Sequence, residues 1–314
     1  MASEQTHHPS GGLDLVTGAF GNIGRAITEL VLERGRTVRT LTAHPGRSSG
    51  GSDSEPIDVV PFRFDDHRAL AAAFEGVTTF YNTYWMRTGD ASGYETAVER
   101  SAALIAAAER AGVERIVHLS VAHPSLDSPY AYFRAKARVE ETLRASSIPA
   151  AVVRPALVFG GHAPLLDNLA WLLRRIPVLG VAGHGDYLVR PVHVSDVARL
   201  CVDAAGRRDA TVIDAAGPDR LSYRELVTQV RDAVGSRTRI VSMPTWAVLA
   251  ASKLLGVVLR DELLTREELL STMDGIADIT GPATGTVSLG EWLRAHAAEL
   301  GHHYVNERAH RRGR

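Results

Sequence analysis

The stretch LDLVTGAFGNIGRAITELVLERG, residues 13–35, constrains the fold more than any other part of the chain. A short apolar run leads into glycines at 18, 21 and 24. Beyond them Ile23, Ile27, Leu30 and Val31 share one helical face, while Arg25, Glu29, Glu33 and Arg34 point away from it. Gly35 supplies a stop. The pattern is strand, turn, helix, and each glycine has its own task in it. Gly18 permits the tight turn, Gly21 lets backbone approach a pyrophosphate, and Gly24 lets helix pack close to strand. The helix start then offers N–H groups and a positive dipole end to phosphates. With Phe20, Asn22 and Ile23 on the same turn, the stretch predicts a dinucleotide site.

Strand-like and helix-like runs go on alternating. TVRTLTA, VVPFRF, TTFYNTYW, RIVHLSV and AAVVRPALVFG read as further strands, and ETAVERSAALIAAAERAG reads as a helix between the fourth and fifth. That alternation implies right-handed crossovers and a parallel sheet covered on both faces. The predicted class is α/β: a Rossmann-type doubly wound parallel sheet with a smaller, mostly helical C-terminal substrate-binding cap. The expected boundaries are a disordered tail over 1–12 and a nucleotide-binding domain over 13–160, with 186–218 returning to the sheet. The cap takes 161–185 and 219–314.

With 35 basic and 36 acidic side chains, the chain has no field to attract nucleic acid. A single cysteine, Cys201, excludes an internal disulfide framework, and the N-terminus has no export signal, so a cytoplasmic location is expected. WAVLAASKLLGVVL is too short to span a membrane and carries Lys253 near its centre, so stable membrane insertion is not expected. It reads as a buried or interface helix, with attachment to a bilayer surface as the lesser alternative. The thirteen histidines show no HxxxH or HExxH spacing, and no metal site is expected.

An acidic residue at the end of the second strand would mark NAD. TLTAHPGR has none, and Thr42, His44 and Arg47 could surround a 2′-phosphate, so NADP is the expected cofactor with NAD as the alternative. Asp65 and Asp66 follow the third strand and are candidates for the adenine end, or simply helix caps.

The fifth strand ends at Ser120, and YFRAK follows on the next helix. A tyrosine is a poor proton donor at neutral pH unless a cation stabilises its phenolate. Lys136 stands one helical turn from Tyr132, whereas Tyr130 has Arg134 in that place, so Tyr132 is the better candidate. Ser120 would hold a substrate oxygen at the carboxyl edge of the sheet, where open α/β sheets bind ligands.

TGAFGNIG, HLS, YFRAK, RPALVFGG and RPVHVSDVA together resemble the short-chain dehydrogenase/reductase superfamily over roughly residues 13 to 220. The glycine pattern, VHVSDVA and the helical C-terminus are similar to its extended and atypical branches. Those include the sugar-nucleotide epimerase/dehydratases and the NmrA-like NAD(P)H-binding proteins. The resemblance implies Ser120, Tyr132 and Lys136 as a catalytic triad, with cofactor contacts from the three glycines, Lys136, Asn82 and Thr83. Pro155 would lie beside the nicotinamide. Many atypical members have an arginine where this chain has Ala43, and the loop VAHPSLDSPYA is shorter than in the sugar-nucleotide enzymes.

Tyr84 and Trp85, after the fourth strand, and Asn168 and Trp171, in DNLAWLLRRIPVL, are the candidate walls of an apolar substrate pocket. The expected activity is hydride transfer between a nicotinamide and a carbonyl or alcohol of a small molecule, with Tyr132 as the acid/base. Two alternatives stand beside it: an epimerase or dehydratase that keeps its cofactor bound, and a non-catalytic NAD(P)H sensor or assembly factor. A homodimer built on the helix of Tyr132 is left open.

Overall fold

The computed structural model describes residues 11–42, 57–86, 91–161, 163–261 and 263–306. The chain divides into two compact units, one of residues 1–155 and 194–215, the other of 156–193 and 216–314.

In the first unit β1 (Leu13–Thr17), α1 (Asn22–Glu33), β2 (Thr37–Thr42) and β3 (Asp58–Pro61) come first. They are followed by α2 (His67–Ala72), β4 (Val77–Asn82), α3 (Ala91–Arg110), β5 (Arg115–Leu119), α4 (Ala131–Ala145) and β6 (Ala150–Pro155). The chain then builds β7 (Leu157–Phe159), α5 (Pro164–Leu173), β8 (Val178–Ala182), β9 (Leu188–Val189) and β10 (Pro191–His193) in the second unit. It returns to the first for α6 (Val194–Ala205) and β11 (Thr211–Ala215). β12 (Leu221–Ser222), α7 (Tyr223–Ala233), β13 (Arg239–Met243), α8 (Thr245–Leu259), α9 (Arg266–Met273) and α10 (Leu289–His296) complete the second unit.

Seven strands of the first unit form one parallel sheet in the order β3-β2-β1-β4-β5-β6-β11. The strand order reverses between β1 and β4, which is where doubly wound sheets take their ligand. Central strands are buried on both faces, so their apolar runs are continuous rather than alternating. Leu15, Val16, Phe80, Ile116 and Val117 are all buried. On α1 the buried positions are Gly24, Ile27, Thr28 and Val31, at the helical spacing that presents one stripe to the protein interior. Each such aliphatic side chain contributes roughly 1.5–3 kcal/mol by leaving water. Asp14 and Arg36 form a fully buried fork, with Arg36 Nε and Nη2 donating to the two carboxylate oxygens at 2.7 and 2.6 Å.

The AAVVRPALVFG run forms two strands rather than one. It breaks at Ala156, with β6 pairing in the large sheet and β7 pairing with β10 in the second unit. Residues 186–193 stay in that second unit, and the return to the sheet begins at Val194. The second unit packs α5, α7 and α10 around Phe159, Leu166, Leu173, Leu226, Val230 and Leu293. Buried Arg190 serves as a bracket there, donating to the carbonyls of Gly217, Ile279 and Gly281 at 2.7–2.8 Å. Among the described residues no helix is long and apolar enough to cross a membrane.

The WAVLAASKLLGVVL helix is α8, and of the two expected placements, buried or at an interface, burial within the chain does not hold. None of its residues is buried. Hydropathy alone cannot say whether a partner surface exists, and within the chain α8 packs chiefly along β8.

Candidate active site

Because the sheet is parallel, every carboxyl end falls on one edge, and the motifs at those ends meet there. The glycine turn leaves β1 with Gly18 at φ +66°, a conformation that suits glycine, and Gly18 N–H donates to Leu41 O at 3.0 Å. Gly21 N–H closes the turn onto Gly18 O at 2.8 Å. Gly24 is where helix meets strand most tightly: a Cβ there would stand 2.2 Å from Gly18 O. Gly21 is the N-cap of α1 and lends no side chain to its first-turn amides. A pyrophosphate fits this arrangement, since backbone is exposed at Gly21 and the helix begins without a side-chain cap. Phe20, Asn22 and Ile23 are half-buried on the same turn.

The turn is pinned by a residue that motif reading does not find. Thr40 of β2 donates its hydroxyl to Val16 O at 2.8 Å and accepts from Ala19 N–H at 3.2 Å. Thr17 and Thr83 lace the ends of β1 and β4 together. Thr83 N–H donates to Thr17 Oγ1 at 2.8 Å, and Thr83 Oγ1 donates to Thr17 O. Thr42 is buried at the end of β2, whereas His44 and Arg47 lie outside the described residues. Asp66 caps α2, accepting from the N–H groups of Arg68 and Ala69, and Asp65 is exposed just before it. Asn82 is buried at the end of β4; its Oδ1 accepts from Tyr84 N–H at 3.2 Å, while its Nδ2 has no partner among the described residues.

Ser120 follows β5, with its N–H bound to Val153 O at 2.8 Å. Its hydroxyl donates to Glu140 Oε1 at 2.6 Å. Glu140 in turn receives Arg154 Nε at 2.9 Å on Oε1 and Arg154 Nη2 on Oε2. This buried carboxylate, one helical turn beyond Lys136, escaped the sequence reading because its partners come from β5 and β6. Pro155 ends β6, and its carbonyl accepts from Ala122 N–H at 2.9 Å.

Tyr132 and Lys136 lie on one face of α4, as the spacing requires, and the indole of Trp85 contacts both. Its ring meets the Tyr132 ring edge-on at 5.6 Å, and Lys136 Nζ stands 4.1 Å from its centroid. Tyr94 of α3 completes the cluster, 6.2 Å from Trp85 and 5.9 Å from Tyr132. Lys136 is only 3% exposed and donates to Leu119 O at 3.1 Å. Burial pushes its ammonium down to about 7, with Glu140 pulling the other way. His118, its neighbour in β5, is held well below its ordinary value by burial and then by the Lys136 charge. Tyr130 is buried at the N-cap of α4 and packs on Phe133.

Tyr84 joins Phe62 and Phe64 in an aromatic cluster with centroids 5.1–5.4 Å apart. Asn168 and Trp171 belong to the second unit. There Asn168 exchanges two hydrogen bonds with the Val305 backbone, at 2.9 and 3.0 Å, and Trp171 packs against Tyr304 and Arg175. Among the described residues no group of three or more His, Cys, Asp or Glu gathers as a metal centre would require.

Comparison with known proteins gives this edge a context. Residues 13–166, just under half the chain, match the NmrA-like family. An uncharacterised protein of Mycobacterium tuberculosis is 26% identical over 283 residues, 88% of this chain, but the match spans only 30% of that relative's own length. The mitochondrial NADH dehydrogenase [ubiquinone] 1 alpha subcomplex subunit 9 of Arabidopsis thaliana is 27% identical over 253 residues, covering 75% of this chain and 61% of that one. Among solved structures, an NADPH-dependent quinone oxidoreductase of Escherichia coli complexed with NADPH superposes with a TM-score of 0.72 at 19% identity. That match covers 90% of this chain and 99% of the other and establishes a common fold. Over residues 13–166 the chain is therefore similar to the NmrA-like family, and it shares its Rossmann-type fold with solved reductase and epimerase structures.

Proposed function

We propose that the protein is a nicotinamide-dependent oxidoreductase of the short-chain type, preferring NADP, that acts on a carbonyl or alcohol of a small apolar substrate. The observation that carries this reading is the Tyr132–Trp85–Lys136 cluster, placed on the carboxyl edge of the same sheet whose β1 carries the glycine turn. A nicotinamide, when bound, supplies or accepts the hydride at the substrate carbon. The exposed turn at Gly18 and Gly21 would hold its pyrophosphate on backbone, Gly24 would let α1 start close against that turn, and Asn82 and Thr83 would border it from β4.

Tyr132 Oη gives its proton to the substrate oxygen, or takes it in the reverse direction. An ammonium one turn away favours the phenolate, and burial, which pushes Lys136 down to about 7, makes that charge easier to lose than on an ordinary lysine. Ser120 Oγ has already committed its proton to Glu140, so toward substrate it offers lone pairs. It would thus accept from an alcohol hydroxyl, while Tyr132 alone donates to a carbonyl. Tyr84 and Trp85 form the apolar wall, and Trp85 excludes water from Lys136.

The same commitment of Ser120 and Lys136 to Glu140, Leu119 O and Trp85 supports a second reading, a non-catalytic NAD(P)H-binding role. The Arabidopsis relative is by its name a subunit of a larger dehydrogenase. The test is to mix purified protein with NADPH and a panel of quinones, ketones and aldehydes, following NADPH absorbance. Consumption that Tyr132→Phe abolishes, with NADPH binding unchanged, is the expected result. Consumption that Tyr132→Phe leaves intact would sink the tyrosine assignment, and binding without consumption would favour the second reading.

A further inference from the structure

Lysine is rare in this chain. Of its 35 lysines and arginines only two are lysines, Lys136 and Lys253. Arginine serves wherever a fixed positive charge is wanted, and it keeps its proton inside a protein. A lysine gives its proton up once water is taken from it. Lys136 is 3% exposed, and among the described residues no carboxylate pairs with its ammonium. Glu140, one turn on, commits its oxygens to Ser120 and Arg154. Nζ has instead one hydrogen bond, to Leu119 O at 3.1 Å, and the face of the Trp85 ring. Both partners take N–H groups, so a neutral amine there keeps its lone pair uncommitted. Its titration agrees, burial having pushed it down to about 7.

The surroundings supply what such an amine needs to take up a carbonyl. Tyr132 lies on the same face of α4 and can act as a proton donor. The rings of Tyr132, Trp85 and Tyr94 make an apolar wall. The remaining titratable neighbours, His118 of β5 and Tyr94 of α3, bring no negative charge that would hold Nζ protonated. Buried indole N–H groups usually find a partner, yet that of Trp85 has none among the described residues. Packing alone therefore keeps this ring over Nζ, and an entering ligand can displace it.

We propose that Lys136 captures small apolar aldehydes and ketones as a covalent imine, a reaction that uses the same edge of the sheet but no nicotinamide. The neutral Nζ attacks the carbonyl carbon and forms the C–N bond, while the C=O π pair moves to oxygen and takes the Tyr132 proton. The nitrogen returns a proton to the phenolate. Tyr132 then protonates the departing hydroxyl, water leaves, and the nitrogen lone pair closes the C=N bond. A protonated imine stands beside the Tyr132 phenolate, and nothing has been oxidised or reduced.

The test incubates the full chain at pH 7, without cofactor, with butanal and cyanoborohydride. The reagent reduces any imine to a stable butylamine, which peptide mass spectrometry locates. Exposed Lys253 is the internal reference. Lys136 should take up label at least about tenfold faster than Lys253, an advantage that urea should erase. Tyr132→Phe should slow uptake at Lys136 about tenfold or more and leave Lys253 unchanged. Labelling of Lys136 no faster than Lys253 in the native protein would overturn the proposal, as would an advantage that survives unfolding. Uptake indifferent to Tyr132→Phe would overturn the step as written. With no NADPH present, each of these outcomes is independent of whether the protein transfers hydride.

Discussion

Ser120 donates its hydroxyl proton to Glu140 across 2.6 Å, and through Glu140 it is tied to Arg154. The serine of the triad expected from sequence is thus tied to an ion pair between buried Glu140 and half-buried Arg154, joining the end of β5 to α4 and β6. Removing one partner of such a pair leaves an uncompensated charge. Glu140→Gln should cost about 2–4 kcal/mol in urea unfolding, whereas Ser120→Ala should cost about 1 kcal/mol. Equal costs would mean that Glu140 serves only the serine.

The three turn glycines should separate into two kinds. A methyl at Gly24 meets Gly18 O at 2.2 Å, backbone against backbone, so Gly24→Ala should destabilise by about 2–4 kcal/mol. At Gly21 the nearest atom would be 3.2 Å away, and Gly21→Ala should cost about 1 kcal/mol or less. Fluorescence titration should nonetheless show NADPH binding lost in Gly21→Ala, because the methyl stands on the exposed turn that a pyrophosphate approaches. Retained binding would remove Gly21 from the cofactor site.

Asp14 and Arg36 should show strong coupling. Arg36→Met strands a carboxylate in the interior and should cost about 3–5 kcal/mol, while Asp14→Asn/Arg36→Met should recover part of that. Strictly additive losses in the double-mutant cycle would count against a shared interaction.

Lys136 should make stability depend on pH in the alkaline direction. Its folded pKa, about 7, lies below the ordinary lysine value, so between the two the unfolded chain holds the extra proton and stability rises with pH. Relative to Lys136→Met, the native protein should gain on the order of 2–3 kcal/mol between pH 7 and pH 9. Thermal midpoints of both proteins across that range check this, and parallel curves would refute it. His118 adds the acid side: a buried neutral imidazole held well below its ordinary value loses stability as pH falls through the unfolded value.

What the sequence by itself determined is local. Glycines at 18, 21 and 24 between an apolar run and a helical stripe require a strand-turn-helix, because turn sterics and periodicity act over a few residues. The βα alternation then implies a parallel sheet, and the four-residue spacing places Tyr132 and Lys136 on one helix face. The tertiary structure decided which side chains those positions meet. Trp85 comes to Tyr132 and Lys136 from the segment after β4, Glu140 is turned onto Ser120 by the pairing of β5 with β6, and Thr40 pins a turn on the neighbouring strand. Such contacts depend on strand order and register, to which hydrophobic pattern is indifferent. Hydropathy was equally silent on α8: an apolar helix may be covered or bare, and only the packing around it leaves Trp246 and Val257 open to solvent.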